Sequence, residues 1–193
     1  MTVETNPLTS PVAISIIAAV SANGVIGTNG ALPWEYSEDL QHFNSVTIGS
    51  PVIMGRVTYE NIIEKNGEPL EGRTSIVLTN SPERVVVSGD GDVSELTDAS
   101  SVHVASRVEE ALGMAGAVNS DVVYIAGGQS VYEEFVPVAD ELVLTHGDAE
   151  IDGDAYFPDW SMENWRVEDS RDGETEELTF KSYKRTAESA TSE

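Results

Sequence analysis

A carboxylate at position 39 falls where a packed helix would normally carry an apolar side chain. The run Leu32-Pro33-Trp34-Glu35-Tyr36-Ser37-Glu38-Asp39-Leu40-Gln41-His42-Phe43 reads as a loop feeding a helix, with Ser37 as its N-cap. Counted along that helix, Asp39, Phe43 and Val46 share a face at i, i+4 and i+7, and Leu40 lies beside them. That face is otherwise apolar and is expected to point inward. An ionised carboxylate is costly there without a partner, so its presence points to proton chemistry in a slot. The plainer reading is an exposed first-turn acid favoured by the helix dipole.

Three further places carry residues suited to an anion. Val122 to Ala126 reads as a strand, and Gly127-Gly128-Gln129-Ser130-Val131-Tyr132 as the turn into a helix. Glycine lets a ligand approach the backbone, and a helix start offers free N–H groups; the alternative is that the glycines serve turn geometry alone. Gly55-Arg56-Val57-Thr58 is a second strand-to-helix junction. A cation there opposes the helix dipole, so Arg56 is expected to bind an anion, with a surface ion pair as the alternative. Arg73 immediately precedes an apolar strand. Its guanidinium fork suits a carboxylate, a ligand's or that of a neighbouring acid. Trp34, Tyr59 and Tyr132 lie near these junctions as core or as ligand contacts.

The elements that must hold these residues alternate along the chain. Val12 to Val20 is a continuous apolar run, as in a strand buried on both faces. Asn23-Gly24 and Asn29-Gly30 punctuate the loop that follows. Strands are expected at 52–54, 74–79, 85–87, 102–104, 122–126 and 141–145. Helices are expected at 57–64, 107–118 and from Gly127 to near Pro137. The strands at 165–170 and 177–185 flank Asp172-Gly173 as an antiparallel hairpin. The pattern predicts one α/β domain over 12–185, with a mixed, mostly parallel central sheet flanked by helices. Residues 1–11 and 186–193 read as loose tails.

Composition narrows the function. The 193 residues hold 34 acids against 10 bases, a net charge of −24. The only lysines are Lys65, Lys181 and Lys184. The acids are spread along the chain, which suggests a surface adapted to high salt, where self-repulsion is screened. No basic patch exists to meet phosphates, so nucleic acid is not an expected partner. Cysteine is absent, and His42, His103 and His146 lack ligand spacing, so no metal site is expected. No apolar run suits a membrane span and the N-terminus lacks a secretory signal, so a cytoplasmic protein is expected; a monomer is the expected state.

Taken in order, the motifs resemble dihydrofolate reductase. Ala18-Ala19, Ile26-Gly27, Leu32-Pro33-Trp34, Asp39-Leu40 and Phe43 carry the resemblance. So do Pro51 through Arg56, Gly72-Arg73, Gly127-Gly128, Val131-Tyr132, and Leu144-Thr145-His146 through Asp154 to Phe157-Pro158. The resemblance implies reduction of dihydrofolate with NADPH. It makes Asp39 the carboxylate that binds the pterin and promotes N5 protonation, with Thr145 bonded to it and Trp34 and Leu32 completing the catalytic set. Leu40, Phe43, Ile62 and Leu70 become apolar walls, and Arg73 the clamp on the substrate's α-carboxylate. The cofactor positions it implies are Ala19, Ile26, Gly27, Gly55, Arg56, Val57, Thr58, Thr79, Gly127, Gly128, Gln129, Ser130, Val131 and Tyr132. Residues 21–35 resemble the mobile loop that closes over the nicotinamide. Two departures stand out: a longer loop at 63–69, and Gln129-Ser130 where several members carry Gly-Arg. Arg56 and Arg107 then remain for a 2′-phosphate, which favours NADPH over NADH. A reductase of another pyrimidine or pterin-like ring, and a non-catalytic nucleotide-binding module, are the alternatives.

Overall fold

Short apolar runs rich in Val and Ile build the sheet, and the helices between them force parallel pairing. The structure, a computed structural model, describes residues 12–85 and 101–186. The expected tails lie outside these apart from Thr186, as does the 85–87 strand beyond Val85. In chain order the elements are β1 (Ala13–Val20), β2 (Val25–Gly27), α1 (Ser37–Thr47), β3 (Pro51–Gly55), α2 (Arg56–Asn66), β4 (Thr74–Leu78) and β5 (Val102–Ala105). Then come α3 (Val108–Ala117), β6 (Val122–Ile125), α4 (Gln129–Phe135), β7 (Glu141–Gly147), β8 (Ala155–Tyr156), β9 (Trp165–Asp172) and β10 (Leu178–Arg185).

The main sheet runs β5-β4-β3-β6-β1-β7-β10-β9. All pairs from β5 to β7 are parallel, and β10 runs antiparallel to both β7 and β9. The expected mixed sheet with a C-terminal antiparallel hairpin is therefore what the chain forms. Alternation along each strand feeds two cores. Ile53, Ile76, Ile125 and Leu144 join α3 and α4 residues in one cluster. Val52, Met54 and Val77 join Tyr59, Phe43 and Ile62 in the other. Strand order runs outward from β1 through β3, β4 and β5, then returns to β6 and on to β7. Reversal of this kind opens a crevice at the carboxyl ends of the central strands, where ligands bind in such sheets.

Three features differ from the sequence reading. Ser37 is the first helical residue, not the cap; Tyr36 caps α1 and no side chain bonds to the free N–H groups. The helix buries Asp39 and Thr47 most deeply, while Leu40 stays about one-third exposed (36%). A separate two-stranded ribbon of β2 and β8 was not expected. Gly153 packs flat on β2 beside it: a Cβ there would lie 2.6 Å from the Gly27 carbonyl oxygen.

Candidate active site

The Asp39 carboxylate is buried in the first turn of α1, with 8% exposure. Its hydrogen-bond donor is Trp34, whose Nε1–H reaches Oδ2 at 2.9 Å. The Trp34 indole lies against Gly147 at the end of β7; a Cβ there would be 2.5 Å from the ring. Gly147 is thus what admits the indole. On the same strand face two residues earlier, Thr145 is buried, with Ala19 of β1 on one side and Phe180 of β10 on the other. His42, one turn after Asp39, packs edge-on to Phe180 with centroids 4.6 Å apart. The row Ala19-Thr145-Phe180 therefore underlies the start of α1. Thr145 makes no hydrogen bond to Asp39, whose partner is Trp34 instead.

Arg73 lies at the other end of this helix. It is 6% exposed, yet no acid among the described residues pairs with it. Its Nε donates to the Glu71 carbonyl at 2.9 Å, and Nη1 donates to Asn44 Oδ1 at 2.8 Å and Thr47 Oγ1 at 3.1 Å. The guanidinium carbon stands 5.8 Å from the Phe43 ring centroid. Burial lowers its pKa, with Glu71 acting in the opposite direction, but a guanidinium stays charged in proteins. Asn44 and Thr47 were missed in the sequence. Their only signal was an i, i+3 polar pair on the Asp39 helix. Eight residues separate Asp39 from Thr47, about 12 Å of helix. Between them lie Leu40 and half-buried Phe43, with Phe43 and Ile62 packed against the buried cluster that includes Leu70. Leu32 is exposed. The result is an apolar slot with a carboxylate at one end and a held cation at the other.

The crevice beside it is lined by backbone. Gly55 donates its N–H to the Gly127 carbonyl at 2.7 Å, joining the ends of β3 and β6. Gly127 has φ of +99°, and a Cβ there would sit 3.1 Å from the Tyr132 ring. Gly128 approaches Thr58, 3.6 Å from where its own Cβ would be. The two helices that start here, α2 after Gly55 and α4 after Gly128, have no side-chain cap. Their first N–H groups are left for an anion, which is what a pyrophosphate needs.

Other expected cofactor positions are more varied. Ile26 and Gly27 are buried in β2, Val131 and Tyr132 are core, and Val57 and Ser130 are exposed. The Tyr132 hydroxyl donates to the Ile17 carbonyl at 2.7 Å. Burial raises its pKa strongly, and the charge of Asp39 adds to the rise, so carboxylate and glycine turn are within electrostatic reach. Thr79 follows β4 and its hydroxyl accepts the Ser81 N–H at 3.1 Å. Arg56 pairs with Glu60 at 2.6 Å, and Gln129 faces Glu133 and Tyr156.

A strand-end crevice with bare backbone and two open helix starts, beside one buried carboxylate, fits an α/β enzyme that binds a nucleotide. Comparison with known proteins narrows this. The dihydrofolate reductase family profile matches residues 13–188. The chain is 41% identical over 170 residues to dihydrofolate reductase HdrB of Haloferax volcanii, covering 88% of this chain and 82% of that protein. It is 37% identical over 153 residues to dihydrofolate reductase type 3 of Salmonella typhimurium, covering 79% and 83%. Among solved structures, the Enterococcus faecalis dihydrofolate reductase complexed with NADP(H) and RAB-propyl superposes with a TM-score of 0.70. It is 29% identical and the match covers 90% of this chain and 96% of that one. The chain belongs to the dihydrofolate reductase family, a family of NADPH-dependent oxidoreductases.

Proposed function

We propose that the protein reduces 7,8-dihydrofolate to tetrahydrofolate, with hydride added at C6 and a proton at N5. The observation that carries this reading is Arg73, buried yet unpaired with any described acid and held by Asn44 and Thr47, about 7.5–12 Å along the Asp39 helix from its carboxylate residue. A ligand with a ring donor edge at one end and a carboxylate at the other suits that spacing.

Asp39 accepts the N–H groups of the pterin edge and promotes proton delivery to N5. Trp34 holds the carboxylate's orientation through its indole N–H. Thr145 and Ala19 form the floor, Leu40, Phe43, Ile62 and Leu70 the walls, and Leu32 the lip. Arg73 takes the substrate's α-carboxylate, with Asn44 and Thr47 fixing its fork. Gly55, Gly127, Gly128 and the starts of α2 and α4 hold NADPH, which when bound supplies the hydride. Thr58, Thr79 and Arg56 extend that site toward the 2′-phosphate. Residues 21–35 cover the slot and exclude water.

The same reading includes a monomeric, cytoplasmic enzyme working at high salt. The net charge of −24 supports the salt adaptation. So do the few ion pairs, five among the described residues, which leave most of the acids to solvent. No described helix is long and apolar enough to cross a membrane.

The test is oxidation of NADPH by the purified protein in molar KCl, followed by absorbance, with dihydrofolate as the second substrate. Turnover that depends on both supports the reading. NADPH oxidation with a different reduced ring but not dihydrofolate, or none at all, overturns it.

A further inference from the structure

We propose that Gln129 is a positioning residue that ties the glycine turn of the crevice to the loop that covers it. This rests on reading residues 127–132 as a cofactor-binding turn.

Gln129 is the first residue of α4, directly after Gly127-Gly128. Its side chain makes two contacts of opposite polarity. Nε2 donates to Glu133 Oε1 at 2.9 Å, and Oε1 accepts the backbone N–H of Tyr156 at 2.9 Å. Together they decide which way the amide faces. The reverse orientation would set an NH₂ against an N–H and an oxygen against a carboxylate.

Tyr156 belongs to β8, and β8 pairs with β2 alone in the separate ribbon. That ribbon holds the covering loop. Phe157 N–H donates to the Gly24 carbonyl at 2.9 Å, and Asp154 N–H to the Gly27 carbonyl at 3.1 Å. The Thr28 hydroxyl donates to the Asp152 carbonyl at 2.7 Å, and both Asp154 oxygens accept the Asn29 N–H at 3.1 Å. A two-stranded ribbon is marginal by itself in water, so its position depends on anchors outside it. One anchor is apolar: the Phe157 ring lies 5.2 Å from that of Tyr132. Gln129 is a polar anchor, beside the two hydrogen bonds that join Val25 of β2 to Ser21 just after β1. Tyr132 and Gln129 both lie in the first turn of α4, which directly follows the crevice glycines. A ligand that orders Gly127-Gly128-Gln129 therefore orders Tyr156 and, through β2, residues 24–29.

The test uses the full chain and Gln129→Met, which removes both polar contacts at similar volume. Hydrogen exchange is followed with and without NADPH, and NADPH affinity is titrated by fluorescence. The expected result is exchange about 3- to 10-fold faster at 24–29 and 155–157. The NADPH-dependent slowing at 24–29 should be lost while NADPH still binds, a readout that a merely structural role would not move. Retention of that slowing in Gln129→Met overturns the proposal.

If the single variant loosens the whole fold, a reciprocal pair decides. Gln129→Glu alone sets two carboxylates together. Adding Glu133→Gln rebuilds both contacts with exchanged partners and should restore the slowing; failure to restore it overturns the proposal. Turnover of the unmodified enzyme with NADPH and dihydrofolate, run beside these, tests the underlying reading separately.

Discussion

Trp34 donates its indole N–H to Oδ2 of Asp39 at 2.9 Å, joining the loop before α1 to the one buried carboxylate among the described residues. The residues are five apart, and the Tyr36 cap between them lets the chain turn back onto the helix start. Trp34→Phe keeps an aromatic ring against Gly147 but removes the donor. A hydrogen bond to a charged group contributes about 1.5–3 kcal/mol, so hydride transfer in a single turnover should slow by roughly 10- to 100-fold. An unchanged rate would show that the indole only packs.

Asp39→Asn should keep the fold and NADPH binding but lose most turnover at neutral pH. Loss of proton promotion costs on the order of 10²- to 10⁴-fold. Activity should recover toward low pH, where the substrate arrives already protonated. A near-normal rate at neutral pH would remove Asp39 from the chemistry.

Arg73→Leu should weaken dihydrofolate by roughly 10- to 100-fold, the contribution of a bidentate charged contact. A pterin without the glutamate tail should lose far less. Binding titrations with both ligands make the comparison. Equal losses would mean that Arg73 serves only Asn44, Thr47 and the Glu71 carbonyl.

The sheet was legible because six parallel strands and their helices follow ordinary hydrophobic periods. Asp39 was legible because a carboxylate interrupts one of those periods. The β2–β8 ribbon was not, since strands of three and two residues carry no alternation to read. The partners of Arg73 were hidden as well: Asn44 and Thr47 look like exposed helix polars until the guanidinium folds back on them. Gln129 reads as a phosphate-loop residue by position, whereas its side chain meets a backbone N–H 27 residues away. The resemblance bonds Thr145 to Asp39; Thr145 is buried two residues before Gly147, and the hydrogen bond to Asp39 comes from Trp34. Strand and helix signals are local; side-chain partners are set by which elements tertiary packing brings together.

Stability should fall as pH drops below about 6.5, the usual value for an exposed histidine. Burial lowers the pKa of His42, His103 and His146 in the folded protein. At His42, Arg171 adds to the lowering, while Asp39 and Glu38 oppose it. Above the unfolded value these groups are neutral in both states and contribute nothing. Below it, the unfolded chain binds protons that the native protein refuses, so stability is lost as pH falls toward the folded values. Acid also removes surface charge and so relieves repulsion, which acts in the opposite direction. Thermal melts in molar KCl screen that second effect. A melting temperature that holds or rises on acidification through this window would contradict the histidine assignment.

The protein should be least stable in dilute buffer and gain stability as KCl rises toward molar levels. It carries −24 on 193 residues, and only five acids among the described residues have ion-pair partners. The screening length is about 30 Å at 0.01 M and about 3 Å at 1 M, so repulsion that spans the domain in dilute buffer is nearly gone at molar salt. Screening alone should saturate near that point, because the length is then shorter than the spacing between charges. A further climb requires a second cause, and salt exclusion strengthening apolar burial supplies one. The two separate by anion: chloride and sulfate at matched ionic strength screen alike, but sulfate is the more strongly excluded. Matched curves up to about 1 M, diverging above it in favour of sulfate, are the expected outcome of a melting series. A melting temperature flat across the whole range would refute the salt adaptation and leave the reductase assignment standing on its own test.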